Sequence, residues 1–131
     1  MNSSDKDKLV AHRIEKAKST LHEINLLVDN QLWNTAINRL YYACYYAVTA
    51  LLAQRDIDAQ THRGVRQMFG LHFIKSKLLS NDVGRFYSDI FDKRQSGDYD
   101  DFVEFTRDDV VSLIAPATKL IQQIEKQMAL K

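Results

Sequence analysis

Cysteine, proline and glycine are all scarce in this sequence: one cysteine (Cys44), one proline (Pro116) and four glycines in 131 residues. A lone cysteine cannot close an internal disulfide. So few glycines and prolines cannot supply the tight turns of an all-β domain. Long apolar runs are missing too. None approaches the roughly 20 residues needed to cross a bilayer, and Arg39 and Arg55 bracket the longest candidate, which tyrosine hydroxyls interrupt. Charge of one sign is equally absent, with eighteen Lys and Arg against seventeen Asp and Glu for a formal net of +1. Global attraction to nucleic acid or anionic membrane is thereby excluded, and any polyanion site must be local. The opening Met1-Asn2-Ser3-Ser4-Asp5-Lys6 lacks the apolar core of a signal peptide. With the unpaired cysteine, this points to the cytoplasm and away from membranes.

Strong chemical signatures are also lacking. There is no phosphate-binding glycine loop, no dinucleotide fingerprint and no His-Glu-x-x-His. Glu15, Glu23, Glu104 and Glu125 are not followed three residues on by histidine, as a di-iron helical bundle requires. No metal and no cofactor are therefore expected. Cys44 sits among apolar neighbours with no basic residue within a helical turn to lower its pKa, and reads as packing.

What the sequence does have is helical periodicity over a composition that is 45% hydrophobic and 27% charged, enough for one folded domain across residues 1–131. Val10, Ile14, Ala17, Leu21, Ile24 and Val28 form one stripe of a first helix that stops at Asp29-Asn30. A second helix, Leu32 to Gln54, carries two seams: Trp33, Ile37, Leu40, Cys44, Ala47 and Leu51, and beside them Tyr41, Tyr45, Val48 and Leu52. Two seams mean contact from several sides, which puts this helix at the centre. Thr61 caps a shorter third helix with Val65, Met68, Phe69 and Phe73. Ser80-Asn81-Asp82 opens a fourth, spaced by Val83, Phe86 and Ile90, which Gly97 is expected to end. From Thr106 a last helix shows Val110, Leu113, Ala117, Leu120, Ile124 and Met128, with a bend expected at Pro116, where a lost hydrogen bond costs about 3 kcal/mol. The fold expected is all-α, an antiparallel four-helix-type bundle with one additional short helix.

Three constellations stand out. Tyr41, Tyr42, Tyr45 and Tyr46 exceed what one bundle interior needs, so part of this face is expected at a dimer interface. Thr61-His62-Arg63-Gly64 places His62 and Arg63 at a helix N-terminus, where free amides favour a phosphate; a capped helix with solvated arginine is the plainer reading. Arg94, Asp98 and Tyr99 follow. Arg94 and Asp98 could form an ordinary pair four apart, or, if Gly97 breaks the helix between them, converge with Tyr99 on a groove beside the second helix. Arg39 and the neighbouring tyrosines would then line that groove. His12, His22 and His72 have no partner at catalytic spacing and read as surface or packing residues.

Arg39-Leu40-Tyr41-Tyr42-Ala43-Cys44-Tyr45-Tyr46-Ala47, Thr61-His62-Arg63-Gly64-Val65 and Arg94 to Asp98-Tyr99, in this order, resemble the HEPN domain family, small prokaryotic helical proteins often found beside minimal nucleotidyltransferases. The resemblance implies a homodimer with a groove at its interface and a role linked to RNA or nucleotides. Many HEPN proteins resemble metal-independent ribonucleases in which an arginine and a histidine four to six residues further on act across the dimer, the arginine on phosphate and the histidine in proton transfer. Here that spacing from Arg94 falls on Tyr99, Asp100 or Asp101, and no histidine follows. A tyrosine with a pKa near 10 is a poor proton shuttle at neutral pH. The resemblance therefore implies first a nucleotide- or RNA-binding module, partner of a nucleotidyltransferase in a toxin–antitoxin or stress-response pair, binding near Arg39, His62, Arg63, Arg94, Asp98 and Tyr99. Two alternatives stand beside it: an endoribonuclease using Arg94 with His62 or Tyr99, and a structural adaptor whose tyrosine face only holds two chains together.

Overall fold

The structure, a computed structural model, describes residues 2–130. Helix α1 spans Ser3–His22 and opens on Asn2, whose side chain accepts from the Asp5 N–H at 2.9 Å. The first apolar stripe does not belong to one helix, as its spacing suggested, but to two. The Glu23 N–H turns back to Thr20 O at 3.1 Å, and α2 follows over Ile24–Asp29. The stripe survives the break: Val10, Ala17, Ile24 and Val28 are buried, and Ile14 and Leu21 pack against them.

Helix α3, Trp33–Gln54, is the centre foreseen from its two seams. It contacts every other α-helix, and Ile37, Leu40, Tyr41, Cys44, Ala47, Val48 and Leu51 have no exposed surface. Each large apolar side chain so buried contributes about 1.5–3 kcal/mol. Helix α4, His62–Phe69, starts at Thr61, whose hydroxyl accepts from the Gly64 N–H at 2.9 Å. It runs directly into a π-helical turn, Gly70–Ile74, that carries Phe73 into the core.

Helix α5, Asn81–Tyr99, is capped by Ser80, and α6, Arg107–Ala129, by Thr106. Thr106 forms a reciprocal capping box with Asp109, at 2.8 and 3.2 Å. Helix α6 continues through Pro116. Gly97, however, does not end α5, which runs two residues past it. The glycine serves a close approach instead: a Cβ there would lie 2.8 Å from Phe105 Cε2.

Cross-links show how the helices run. Lys6 at the start of α1 pairs with Asp56 just beyond α3, and Glu23 after α1 pairs with Arg39 early in α3. Asp98, near the end of α5, meets Asn38, near the start of α3. At α3's other end, Gln54 donates to Met128 O of α6 at 2.9 Å. The long helices α1, α3, α5 and α6 therefore alternate in direction, with α4 as the additional short helix. Among the described residues no helix is long and apolar enough to cross a membrane.

The segment between α5 and α6 is tied to α3 through one side chain. Asn34 donates to Val103 O at 3.0 Å and accepts from the Phe105 N–H at 2.9 Å. This clamp fixes the chain just beyond Tyr99.

Candidate functional site

Four-residue spacing on α3 lines up Asn34, Asn38, Tyr42 and Tyr46 along one stripe. The C-terminal end of α5 lies along it, and the first residue of α4 closes one side. Arg94 sits where they meet. Its side chain is only 11% exposed and donates to the Tyr42 hydroxyl at 3.1 Å. Its guanidinium carbon lies 5.3, 5.4 and 6.0 Å from the ring centroids of Tyr41, Tyr42 and Tyr99. Arginine tolerates this partial burial because its charge is delocalised and aromatic faces replace part of its hydration.

Because α5 is unbroken at Gly97, Arg94 and Asp98 stand four apart on one face, with Nε and Oδ2 3.0 Å apart. The contact is an ion pair without hydrogen-bond alignment, since the Nε–H itself has no partner. Asn38 donates to the same carboxylate at 3.1 and 3.3 Å. Arg94 and Asp98 thus form the ordinary helical pair; the break at Gly97 that the groove reading required does not occur, and the pair stands beside α3 on an unbroken helix. Tyr99 is 76% exposed at the end of α5.

His62 completes the group. Its Nδ1 lies 2.7 Å from the Tyr41 hydroxyl, and its ring lies against Tyr45 with centroids 4.5 Å apart at a 30° tilt. Burial first, and the charge of Arg94 second, lower the His62 pKa from its ordinary value. Burial also raises the pKa of both Tyr41 and Tyr45. Near neutral pH the site therefore holds a cationic arginine, protonated phenols and a neutral imidazole. Tyr45 also lines a cavity of 460 Å³, together with Arg13, Thr49 and Gln60.

The remaining expected residues are placed differently. Arg39 is turned to Glu23 and Thr20, both at 3.4 Å, and its guanidinium carbon is 6.0 Å from the Tyr42 ring. It therefore borders the site through that ring. Arg63 is exposed and makes no ion pair among the described residues. Tyr41, expected at a dimer interface, has no exposed surface and lies wholly inside the bundle, whereas Tyr42, Tyr45 and Tyr46 are half-buried and form a continuous aromatic face. Cys44 is a buried free thiol whose pKa burial pushes up, and His12, His22 and His72 are exposed. Two participants were missed from sequence: Asn38, which the four-residue stripe through Tyr42 could have signalled, and Tyr87, which nothing in the pattern of α5 distinguished from an ordinary core aromatic.

A bundle whose central helix presents a tyrosine face to one arginine and one histidine defines a class of small helical proteins with a polar site between helices. Within that class the family is settled by comparison: the HEPN domain matches residues 10–127, and the chain belongs to the HEPN domain family. It is similar to a UPF0332 protein of Thermotoga maritima, 33% identical over 123 residues that cover 94% of this chain and 93% of the relative. Two Methanocaldococcus jannaschii proteins, each named "Putative toxin", are also similar. One is 29% identical over 90% of this chain and 80% of its own length. The other is 30% identical over 88% of this chain and 85% of its own length. A solved structure described as an archaeal HEPN homologue superposes with a TM-score of 0.70, covering 91% of this chain and 97% of that one at 18% identity, a likeness of fold.

Proposed function

We propose that this chain is a single HEPN module that works in the cytoplasm as a homodimer within a toxin–antitoxin pair, with a nucleotidyltransferase as its protein partner, and that it binds a nucleotide or RNA phosphate at Arg94. The observation that carries the reading is the setting of Arg94: a cation with little exposed surface, paired with Asp98, held by Tyr42 and bordered by the exposed ring of Tyr99. A phosphate oxygen is met by the charge and a base by the ring. The similar proteins named as toxins support the biological setting. The half-buried Tyr42, Tyr45 and Tyr46 supply the apolar part of a dimer face. Asp98, Asp100 and Asp101 oppose a polyanion, so the reading favours a short or mononucleotide ligand over long RNA.

Calorimetry of the purified protein with nucleotides and short RNAs tests this, with Arg94→Ala as control and a pull-down of the nucleotidyltransferase beside it. Absence of both ligand affinity and a protein complex would end the proposal. The endoribonuclease reading gains one observation, since His62 and Arg94 both lie against the rings of Tyr41 and Tyr42. RNA cleavage assayed in wild type, Arg94→Ala and His62→Ala decides it, and unchanged cleavage in both variants removes these residues from any mechanism.

A further inference from the structure

Tyr87 of α5 is 1% exposed, and its hydroxyl is a buried polar atom with no hydrogen-bond partner among the described residues. Its ring stacks on Tyr41 with centroids 6.1 Å apart. The two hydroxyls stand outside hydrogen-bond geometry. Tyr41 in turn reaches His62 Nδ1 at 2.7 Å. Three groups thus form a file from the core to the groove.

Only one direction of the Tyr41–His62 hydrogen bond gives the Tyr41 proton an acceptor. If His62 Nδ1–H donated to Tyr41, the Tyr41 proton would be buried with no acceptor, because Tyr41 has no exposed surface and its hydroxyl has no other hydrogen-bond partner among the described residues. In the opposite direction the Tyr41 O–H donates to Nδ1 and the proton is satisfied.

We infer that Tyr41 donates to Nδ1 of His62 and so holds it as a neutral imidazole with its proton on Nε2. Tyr41 is then a positioning residue, and the Tyr87 ring stacked on it supports it from the core. The groups facing His62 agree with this. Tyr41, Tyr42 and Tyr45 of α3 surround the ring without charge, and Arg94 of α5 opposes a second positive charge. Nε2 makes no hydrogen bond among the described residues. The consequence is chemical: His62 offers the groove an N–H donor and no lone pair. An anionic oxygen bound at Arg94 would meet a second donor, whereas a hydroxyl awaiting deprotonation would find no base. That consequence rests on the binding reading, but the Tyr41–His62 hydrogen bond belongs to the ligand-free protein and is tested there, so its failure and a failure to bind ligand remain separate results.

Long-range proton–nitrogen NMR of the 15N-histidine-labelled protein, with His62 assigned by His62→Gln, reads the tautomer directly at a pH above the ring's titration. The Nε2–H form is expected to be essentially complete, and an Nδ1–H or mixed population would overturn the inference. The second measurement is the His62 pKa in Tyr41→Phe, which removes one oxygen from a site that a ring still fills. Loss of a donor to the neutral form raises this pKa, by about half a pH unit or more, whereas loss of an acceptor from the charged form lowers it. A fall, or no change, would overturn the inference.

Discussion

Arg94 and Asp98 form an ion pair at 3.0 Å on one face of α5, and Asn38 of α3 holds the same carboxylate. The acid both neutralises the cation and fixes where it points. Asp98→Asn keeps the shape of the side chain and removes its charge, leaving Arg94 in place through Tyr42. Affinity for a nucleotide phosphate is expected to rise about threefold to tenfold, as one opposing charge close to the ligand is lost. Folding stability should fall by about 1 kcal/mol or less, since the pair is partly open to solvent. Parallel calorimetry and urea denaturation check both parts; unchanged affinity would mean that phosphate does not approach Arg94.

The lowered pKa of His62 makes stability depend on pH in a definite direction. In the unfolded chain this histidine titrates near 6.5, while in the folded protein burial and Arg94 hold it below that. The unfolded state therefore binds more protons in that interval, and stability rises with pH. The contribution is fully present above 6.5 and is lost as pH falls through the folded-state value. Denaturation midpoints measured from pH 8 down to pH 5 should decline in wild type and decline less in His62→Gln. Equal slopes would show that another group carries the dependence. Arg94→Ala should raise the His62 pKa, because a positive neighbour is removed.

Left-handed backbone at a non-glycine residue marks a place where stability can be gained. Gln31 follows α2 with φ at 58°, and the Leu32 N–H reaches back to Leu27 O at 2.9 Å, the cap that usually recruits glycine. Gln31→Gly relieves the steric cost of that conformation but adds freedom to the unfolded chain. The net gain expected is about 0.5–1 kcal/mol, or about 2–5 °C in Tm. Scanning calorimetry checks it, and a lower Tm would show that the glutamine side chain has a role of its own.

The same cap explains part of what could be read from sequence and what could not. Helix starts followed from Thr61 and Ser80, because a capping side chain acts within three residues, and that of α6 from its apolar spacing. The buried seams of α3 followed from spacing alone. Gly97 misled because glycine has two uses, ending a helix or admitting a neighbour, and which applies depends on the close approach of Phe105, which is set by how the chain folds back after α5 and not by the residues around Gly97. The site was legible as a set of residue types, Arg94, Asp98, Tyr99 and His62, but not as an arrangement. That His62 would face Tyr41, and that Tyr87 would stand behind it, depends on how α4 and α5 lie across α3. No local pattern encodes that.

Gly97 and Phe105 provide the sharpest structural test, because two effects of one substitution oppose each other. In a solvent-exposed helix, glycine to alanine is favourable by about 1 kcal/mol. Here the added methyl would lie 2.8 Å from the Phe105 ring. The backbone that carries the ring is held, since the Phe105 N–H donates to Asn34 at 2.9 Å and the Asn34 amide also holds Val103 O, so relief requires the ring to leave its packed position. Overpacking of this kind costs about 1–3 kcal/mol, so Gly97→Ala is expected to destabilise on balance and to disturb Asp98 and Tyr99, which flank the strained point. Combining it with Phe105→Leu removes the clash, and alanine should then stabilise relative to Phe105→Leu alone. Urea denaturation of the four proteins measures this reversal of sign. If Gly97→Ala is the more stable protein in both backgrounds, the contact with Phe105 does not govern this position.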